Sequence, residues 1–555
     1  MGIQSYFSYI IKNHSNIIRN WRHHREKKNT RFSSLYMDCN SIIYDCVRKI
    51  ENDAASTPSA FTECAVIDAV IAKIEYYVGL IRPSNTLFIA FDGVAPFAKM
   101  SQQRIRRYKT GYLASIDFVG LSGPAKPGAS SAKWNTSAIT PGTNFMNKLS
   151  AKVQSAFVHS GRGFGAKTVI VSASDEAGEG EHKMFQHMRD NDARPDNIAV
   201  YGLDSDLIML SLLHCFACEN IYIFRESPAF GKSILNGSFG ENELMFLDNR
   251  ALSKAILDEM GASNDIARIR DYIFMCFFLG NDFLPHFPAL NIRTHGNFTV
   301  LETYHRVIGK FPDRRFVDVD SGDIQWKWVK TFIAELAKTE HRTIVEEYQS
   351  RAKLESRHYP TNTKEDREVT FDNIPVIYRA DEHYINPSCS GWESRYYRVA
   401  FHLPHSPSTE FVSDLCQNYL EGLEWVYKYY TNGCPHWRWR YRFHYPPLFV
   451  DLLRHIPENS TTFINAGSFG HNAPFQPQTQ LAYVIPKWNH CLLTKDARET
   501  IERLGIGKYY ESLADLKFQW MFCRYFWESH AALKDIPFND LELLDGHFTS
   551  SSLRR

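Results

Sequence analysis

TVIVSASDEAGEGEH, residues 168–182, packs an apolar run, a glycine-rich turn and two carboxylates, Glu179 and Glu181, into one short stretch. Thr, Val and Ile in unbroken succession fit a strand buried on both faces, and the polar, glycine-containing segment behind it fits a turn. Three further stretches repeat the pattern: SSLYMDCN (33–40) ends on Asp38, TLFIAFDG (86–93) on Asp92, and IAVYGLDSD (198–206) on Asp204 and Asp206. A fifth, FMCFFLGND (274–282), reaches Asp282 after a run long enough to be a buried helix. Short buried strands alternating with amphipathic helices predict an α/β fold with a mostly parallel twisted sheet. All parallel strands end on one edge, and ligands bind beyond that edge. One acid after one strand is an ordinary helix cap. Seven acids gathered at one edge repel one another, and hard divalent cations relieve that repulsion. Two such ions about 4 Å apart are a common device for phosphodiester hydrolysis.

Within two of these stretches the acids come as pairs, Glu179 with Glu181 and Asp204 with Asp206. In an extended segment, residues i and i+2 point the same way, so each pair can serve one ion or bridge two. Gly178 and Gly180 let the backbone approach closely.

The composition sets limits. The chain has 555 residues, 44% of them hydrophobic and 14% aromatic, which supports a sizeable core. Its net charge of +1 means that any basic surface is local. Eleven cysteines without a repeating framework predict reduced thiols in an intracellular setting. No apolar run approaches the roughly 20 residues of a membrane helix.

Two basic or aromatic segments complete the candidate site. In AKMSQQRIRRYKTG (98–111), Lys99, Gln103, Arg106 and Arg107 fall at i, i+4, i+7 and i+8 of a helix, on one face, whereas Arg104 points elsewhere. Such a face suits a phosphate dianion, with Arg as bidentate donor and Lys as point charge. In WVYKYYTNGCPHWRWRYRFHYPP (425–447) aromatics alternate with cations, a composition that stacks unpaired bases. We expect Trp425, Tyr427 and Tyr430 in a core and either Trp437 or Trp439, with Trp437 preferred, in a groove. Tyr44, six residues after Asp38, is a second stacking candidate. His214-Cys215-x-x-Cys218 has no second ligand pair at zinc-finger spacing and reads as buried thiols on a helix. The basic run 19–31 reads as a solvated helix end and loop, and GRGFG (161–165) precedes a strand and lacks the following helix of a dinucleotide site.

In their order, MDCN, FDGVAPFAKMSQQRIRR, ITPGTNFM, EAGEGEHK, YGLDSDLIMLSL and FFLGNDFLPHFP resemble the eukaryotic 5′→3′ exoribonuclease (XRN) family. The match runs from residue 1 to about 305, and more loosely through ELAKTE (335–340) and residues 419–447. The resemblance implies a PIN/flap-nuclease-like core. It also implies two Mg²⁺ ions, or Mn²⁺, held by Asp38, Asp92, Glu179, Glu181, Asp204, Asp206 and Asp282. Lys99, Gln103, Arg106 and Arg107 would hold the 5′-monophosphate of a single-stranded RNA, and Tyr44 and Trp437 would stack its bases. The implied reaction is processive release of nucleoside 5′-monophosphates in RNA decay, by a monomer in the cytoplasm or nucleus. Tyr44 replaces the family's stacking His, Gln4 and Ala177 replace usual prolines, and the added C-terminal domains of the large enzymes are missing, so a compact version is expected. A flap-type 5′ DNA nuclease is the runner-up, disfavoured because no helix-hairpin-helix follows Asp282; a non-catalytic RNA scaffold is the third reading.

The expected organisation is a catalytic α/β domain over 1–310, a helical connector and linker over 311–392, and an aromatic-rich helical domain over 393–555 that completes the channel. Within it, 52–60 and 119–133 read as surface loops, 324–356 as helix and 357–392 as linker.

Overall fold

The computed structural model describes residues 3, 5–20, 30–54, 62–116, 134–159, 164–191, 197–202, 204–227, 243–262, 265–465 and 471–552. The 119–133 insertion, most of the 161–165 run, the 52–60 loop beyond Ala54 and positions 21–29 of the basic run lie outside the described residues.

Seven strands form one sheet: β1 (Ile18–Asn20), β2 (Ser34–Asp38), β3 (Thr86–Ala90), β4 (Thr168–Ser172), β5 (Asn197–Tyr201), β6 (Asn220–Glu226) and β7 (Leu244–Asp248). Their order is β1-β7-β6-β5-β2-β3-β4. The five strands β6, β5, β2, β3 and β4 run parallel, and β7 and β1 close one side antiparallel. Every residue of β2 and of β3 is buried. Side chains alternate between two cores: Tyr36, Phe88 and Val200 face one, and Leu35, Met37, Leu87 and Ile89 face the other. Burial on both faces explains why the strands read as continuous apolar runs instead of alternating ones.

The chain leaves β2 toward β3 on one side, and β5 later adds on the other. The gap between the carboxyl ends of β2 and β5 is therefore the topological switch point, where open α/β sheets bind ligands. Asp38 is the last residue of β2, Asp92 lies two residues past β3, and Asp204 and Asp206 follow β5.

The helices that matter to the site are α1 (Phe97–Ser115), α2 (Gly180–Asp190), α3 (Asp206–His214), α4 (Ile266–Cys276), α5 (Trp326–Glu355), α6 (Thr409–Asn432), α7 (Pro477–Val484) and α8 (Phe538–Ser552). The run 274–282 is the end of α4, a 3₁₀ turn over Phe277–Leu279, and a loop that carries Asp282. Helix α6 belongs to the aromatic-rich region and packs into the same core as α2, α3 and α4. Helices α7 and α8 build a third core with the start of α1, through Leu481, Val484, Leu541 and Leu544 around Phe97 and Met100. The last part of the chain thus packs against the helix that follows Asp92.

Residues 357–392 are not a linker. They hold short helices over Lys364–Asp372, Ile374–Ile377 and Ala380–Ile385. Arg351 of α5 donates to both oxygens of Glu382, and Arg379 donates to Glu382 as well, with all three side chains buried. Their charges read as solvated in the sequence because burial of a charge depends on partners far along the chain.

All eleven cysteines are free thiols. Cys215 lies one residue past α3 and donates to the carbonyl of Leu212. No helix among the described residues is long and apolar enough to cross a membrane.

Candidate metal centre and phosphate pocket

The acids meet at the carboxyl edge of the sheet. Carboxylate oxygens of Asp38, Asp92 and Glu181 lie within 4.8 Å of one another, and ligand atoms of Glu179, Glu181 and His182 form a second such group. Asp38, Glu179, Glu181 and Asp206 are buried. The glycines of residues 178–181 make this approach feasible. Gly178 has φ +112°, which disfavours any side chain there, and a Cβ on Gly180 would sit 2.7 Å from Asp38 Oδ1. The Gly180 N–H donates instead to Asp92 Oδ1 at 2.8 Å.

The pairs do not have the extended geometry read from the sequence. Glu179 is extended, but α2 begins at Gly180, so Glu181 lies in its first turn. Ser205 is already helical and Asp206 opens α3. The acids therefore converge across two helix N-termini, whose dipoles favour negative charge there.

Electrostatics shows how crowded the cluster is. Burial, reinforced by Asp92 and Asp204, pushes the Asp38 carboxyl well above the usual range. Burial and Glu179 do the same to Glu181. Burial and Asp282 push Asp206 up to about 6. One lysine offsets part of this repulsion: Lys99 Nζ lies 2.5 Å from Glu179 and 2.8 Å from Asp282. Burial raises Asp282, yet Lys99 overrides it and holds Asp282 below the carboxylate range.

Three residues that sequence reasoning passed over hold the acids in place. Asn40 donates through its side-chain amide to Asp92, and its Oδ1 accepts from the Asp92 N–H at 3.1 Å. Two tyrosines of α6 reach in from the aromatic region: Tyr429 donates to Glu179 Oε1 at 2.9 Å and Tyr430 to Asp206 Oδ1 at 2.6 Å. Tyr430 is in the core, as its apolar surroundings in the sequence predict, but its hydroxyl belongs to the site. His182 stacks on Tyr429 with centroids 3.6 Å apart, and its Nδ1 is buried without a hydrogen-bond partner. The adjacent Tyr-Tyr pair was the available signal, since buried tyrosines usually place the hydroxyl on a partner.

Helix α1 lies beside the acids. Lys99 is spent on them, and Gln103 lies buried against Gln480 of α7. Arg106 is exposed, while Arg107 donates to the Ile139 carbonyl and keeps a buried Nε without a partner. Burial lowers Arg107 to about 10, and Tyr44 opposes that shift; Tyr44 itself is partly buried against the core that holds Leu35 and Met37. Arg104 points away, donating to the carbonyls of Tyr509 and Lys534.

The two tryptophans separate clearly. Trp439 is buried, stacks on Trp425 at 5.2 Å and donates to Glu421. Trp437 is partly exposed and is tied to the start of α1 through its carbonyl, which accepts from the Phe97 N–H.

Carboxylates gathered beyond a parallel sheet, walled by basic and aromatic side chains, fit the class of metal-dependent phosphodiester hydrolases. The comparisons narrow this. Residues 1–227 match the model of the XRN 5'-3' exonuclease N-terminus, and residues 263–386 and 379–497 match that of the Xrn1 helical domain. The chain belongs to the XRN family. It is 29% identical over 554 residues to the 5'-3' exoribonuclease 2 homolog of Drosophila melanogaster, covering 82% of this chain and 59% of that protein. It is 26% identical to 5'-3' exoribonuclease 2 of Gallus gallus (88% of this chain, 63% of that protein) and 26% identical to 5'-3' exoribonuclease 1 of Homo sapiens (89% and 31%). The chain therefore spans less than two thirds of the length of these relatives.

Proposed function

We propose that the chain is a processive 5′→3′ exoribonuclease that removes nucleoside 5′-monophosphates from single-stranded RNA bearing a 5′-monophosphate. On this reading residues 1–310 carry the chemistry, 311–392 brace it, and 393–555 close the channel. The observation that carries the proposal is the buried acid cluster at the switch point, within a chain of this family.

The donor set fits hard cations: every first-choice ligand is a carboxylate oxygen, and crowding raises several of these groups in a way that a divalent cation would relieve. Asp38, Asp92, Glu179, Glu181, Asp204, Asp206 and Asp282 would hold two Mg²⁺ or Mn²⁺ ions. Such ions, when bound, supply an activated water and neutralise charge that develops on the phosphodiester. The protein's own side chains do the rest. Tyr429, Tyr430 and Asn40 fix the carboxylates in one arrangement. Lys99 shares its charge between Glu179 and Asp282, so its ammonium sits at the border of the acids and the phosphate face. Arg106 and Arg107, with Gln103, receive the 5′-phosphate through charge-assisted hydrogen bonds. Tyr44 and Trp437 sandwich the first bases. A pocket with these few donors takes one terminal phosphate, so triphosphate, cap and duplex ends are poor substrates. The chain would act as a monomer in the cytoplasm or nucleus.

The test uses uniformly labelled 5′-monophosphorylated RNA with Mg²⁺ or with EDTA. The proposal expects mononucleotides beside full-length RNA, and neither product nor shortening with EDTA. A ladder of internal fragments would overturn it.

A further inference from the structure

A cavity of about 330 Å³ lies along α1, which lines it with Ala98, Ser101, Gln102, Ile105, Arg106 and Lys109. It touches the site at two residues, Asp282 and Arg106, and extends to Trp527, which is 40% exposed. Three imidazoles line it, from three separate parts of the chain: His286, His444 and His530. None of the three rings makes a hydrogen bond to another described residue. The rings of His444 and His530 stack, with centroids 4.9 Å apart and planes 14° apart. Burial holds His286 and His444 down to about 4 and His530 well below its ordinary value. Each imidazole is thus neutral and offers one donor and one acceptor.

That lining suits a nucleobase: flat faces to stack on and neutral groups to pair with its edge. It does not suit a bare anion. Other cations border the cavity but are already engaged: Lys109 donates to the carbonyls of Trp527 and Ser529, Arg104 to two carbonyls, Arg440 to Asp535 and Arg442 to Asp414. Phosphate binding therefore falls to Arg106. The volume lies at the low end of the ~300–1,000 Å³ typical of small-molecule sites, which fits one nucleotide rather than an oligonucleotide.

This matters because of a topological constraint, which rests on the exonuclease reading above. While a strand is being degraded it fills its own entrance. The severed nucleotide must leave by another way or wait. Arg106 lines the cavity and, on that reading, also receives the 5′-phosphate, so a nucleotide can pivot about it without releasing its phosphate.

We propose that this cavity is the release chamber. It receives the cleaved nucleoside 5′-monophosphate, base among His286, His444 and His530 and phosphate on Arg106, and delivers it to solvent beside Trp527. No bond forms or breaks in this step.

The test titrates AMP, adenosine and inorganic phosphate separately into the full chain by calorimetry, with EDTA present so that cation-held nucleotide does not contribute. AMP is expected to bind at one site, and adenosine or phosphate more weakly. His286→Phe, which fills the chamber, should weaken AMP at least tenfold, and the exposed Trp527→Ala should weaken it less. In RNA assays both variants should lower the ratio of steady-state rate to first-turnover rate. AMP affinity unchanged in a folded His286→Phe protein would overturn the chamber. If that variant does not fold, AMP soaked into crystals of the unaltered protein decides: density among the three imidazoles supports the chamber, and density only at the acids, or none, overturns it. AMP bound in the chamber of a protein that does not degrade RNA would overturn the exonuclease reading and leave the nucleotide site. RNA degradation without chamber binding would do the reverse.

Discussion

Tyr430→Phe removes one oxygen atom and tests whether the aromatic region is part of the candidate metal centre. The hydroxyl donates to Asp206 Oδ1 at 2.6 Å, and both groups are buried. A hydrogen bond to a charged group contributes roughly 1.5–3 kcal/mol. At 1.4 kcal/mol per decade, that corresponds to about 10- to 150-fold. Outer residues that orient metal ligands show a similar span, about 10- to 100-fold in affinity or activity. The ring itself is kept, and with it the edge contacts to Phe277 and His182. Loss of fold is therefore not the expected route. The assay is a Mg²⁺ titration of RNA degradation. The variant should need at least tenfold more Mg²⁺ for half-maximal rate and recover much of its rate at saturation. A titration curve superimposable on that of the unaltered protein, or a rate lost equally at every Mg²⁺ concentration, would refute the argument.

Arg106→Ala should reduce the preference for 5′-phosphate over 5′-hydroxyl RNA by about 10- to 150-fold, the loss of a charge-assisted contact of roughly 1.5–3 kcal/mol; competition between the two RNAs measures it. Glu382→Gln breaks a fully buried pair with Arg351 and Arg379, and removal of one partner costs about 3–5 kcal/mol, seen as a lower midpoint in urea with an unchanged slope. Asp271 is pushed up to about 6 by burial although Tyr304 and two backbone N–H groups donate to it. Its folded state holds the proton more tightly than the unfolded chain. Its stabilising contribution is thus complete below about pH 4 and lost as pH rises through 6, by roughly 3 kcal/mol at 1.36 kcal/mol per unit. Asp271→Asn keeps an acceptor for the backbone donors and should flatten that part of a stability-versus-pH curve.

What the sequence revealed followed from local physics. Strands β2, β3 and β5, buried almost throughout, read as unbroken apolar runs and were legible with the acids behind them; β4 read the same way, but it is the edge strand, with Thr168 exposed and Val169 and Ile170 only partly buried, so its both-face burial was not borne out. Lys99, Gln103, Arg106 and Arg107 do share the helix α1 that the spacing predicted. The spacing could not show that Lys99 turns to Glu179 and Asp282, because that depends on where the loop after α4 brings Asp282. The extended reading of Glu179 and Glu181 failed because the apolar periodicity of α2 starts at Met184, while its hydrogen-bonded turn starts at Gly180. Tyr429 and Tyr430 looked like core because the pattern reports a ring and not the partner of its hydroxyl. The packing of α7 and α8 on α1 joins segments hundreds of positions apart, such as Phe97 with Leu481 and Met100 with Leu544, beyond the reach of any local signal.

The central claim is that one buried acid cluster and one phosphate pocket act together on RNA 5′ ends. The most direct measurement incubates the purified chain and Mg²⁺ with a single-stranded RNA carrying either a 5′-monophosphate or a 5′-triphosphate, beside an Asp206→Ala control. The account predicts mononucleotides from the monophosphate RNA alone and none from the control. Equal degradation of both RNAs, or undiminished release by Asp206→Ala, would contradict it.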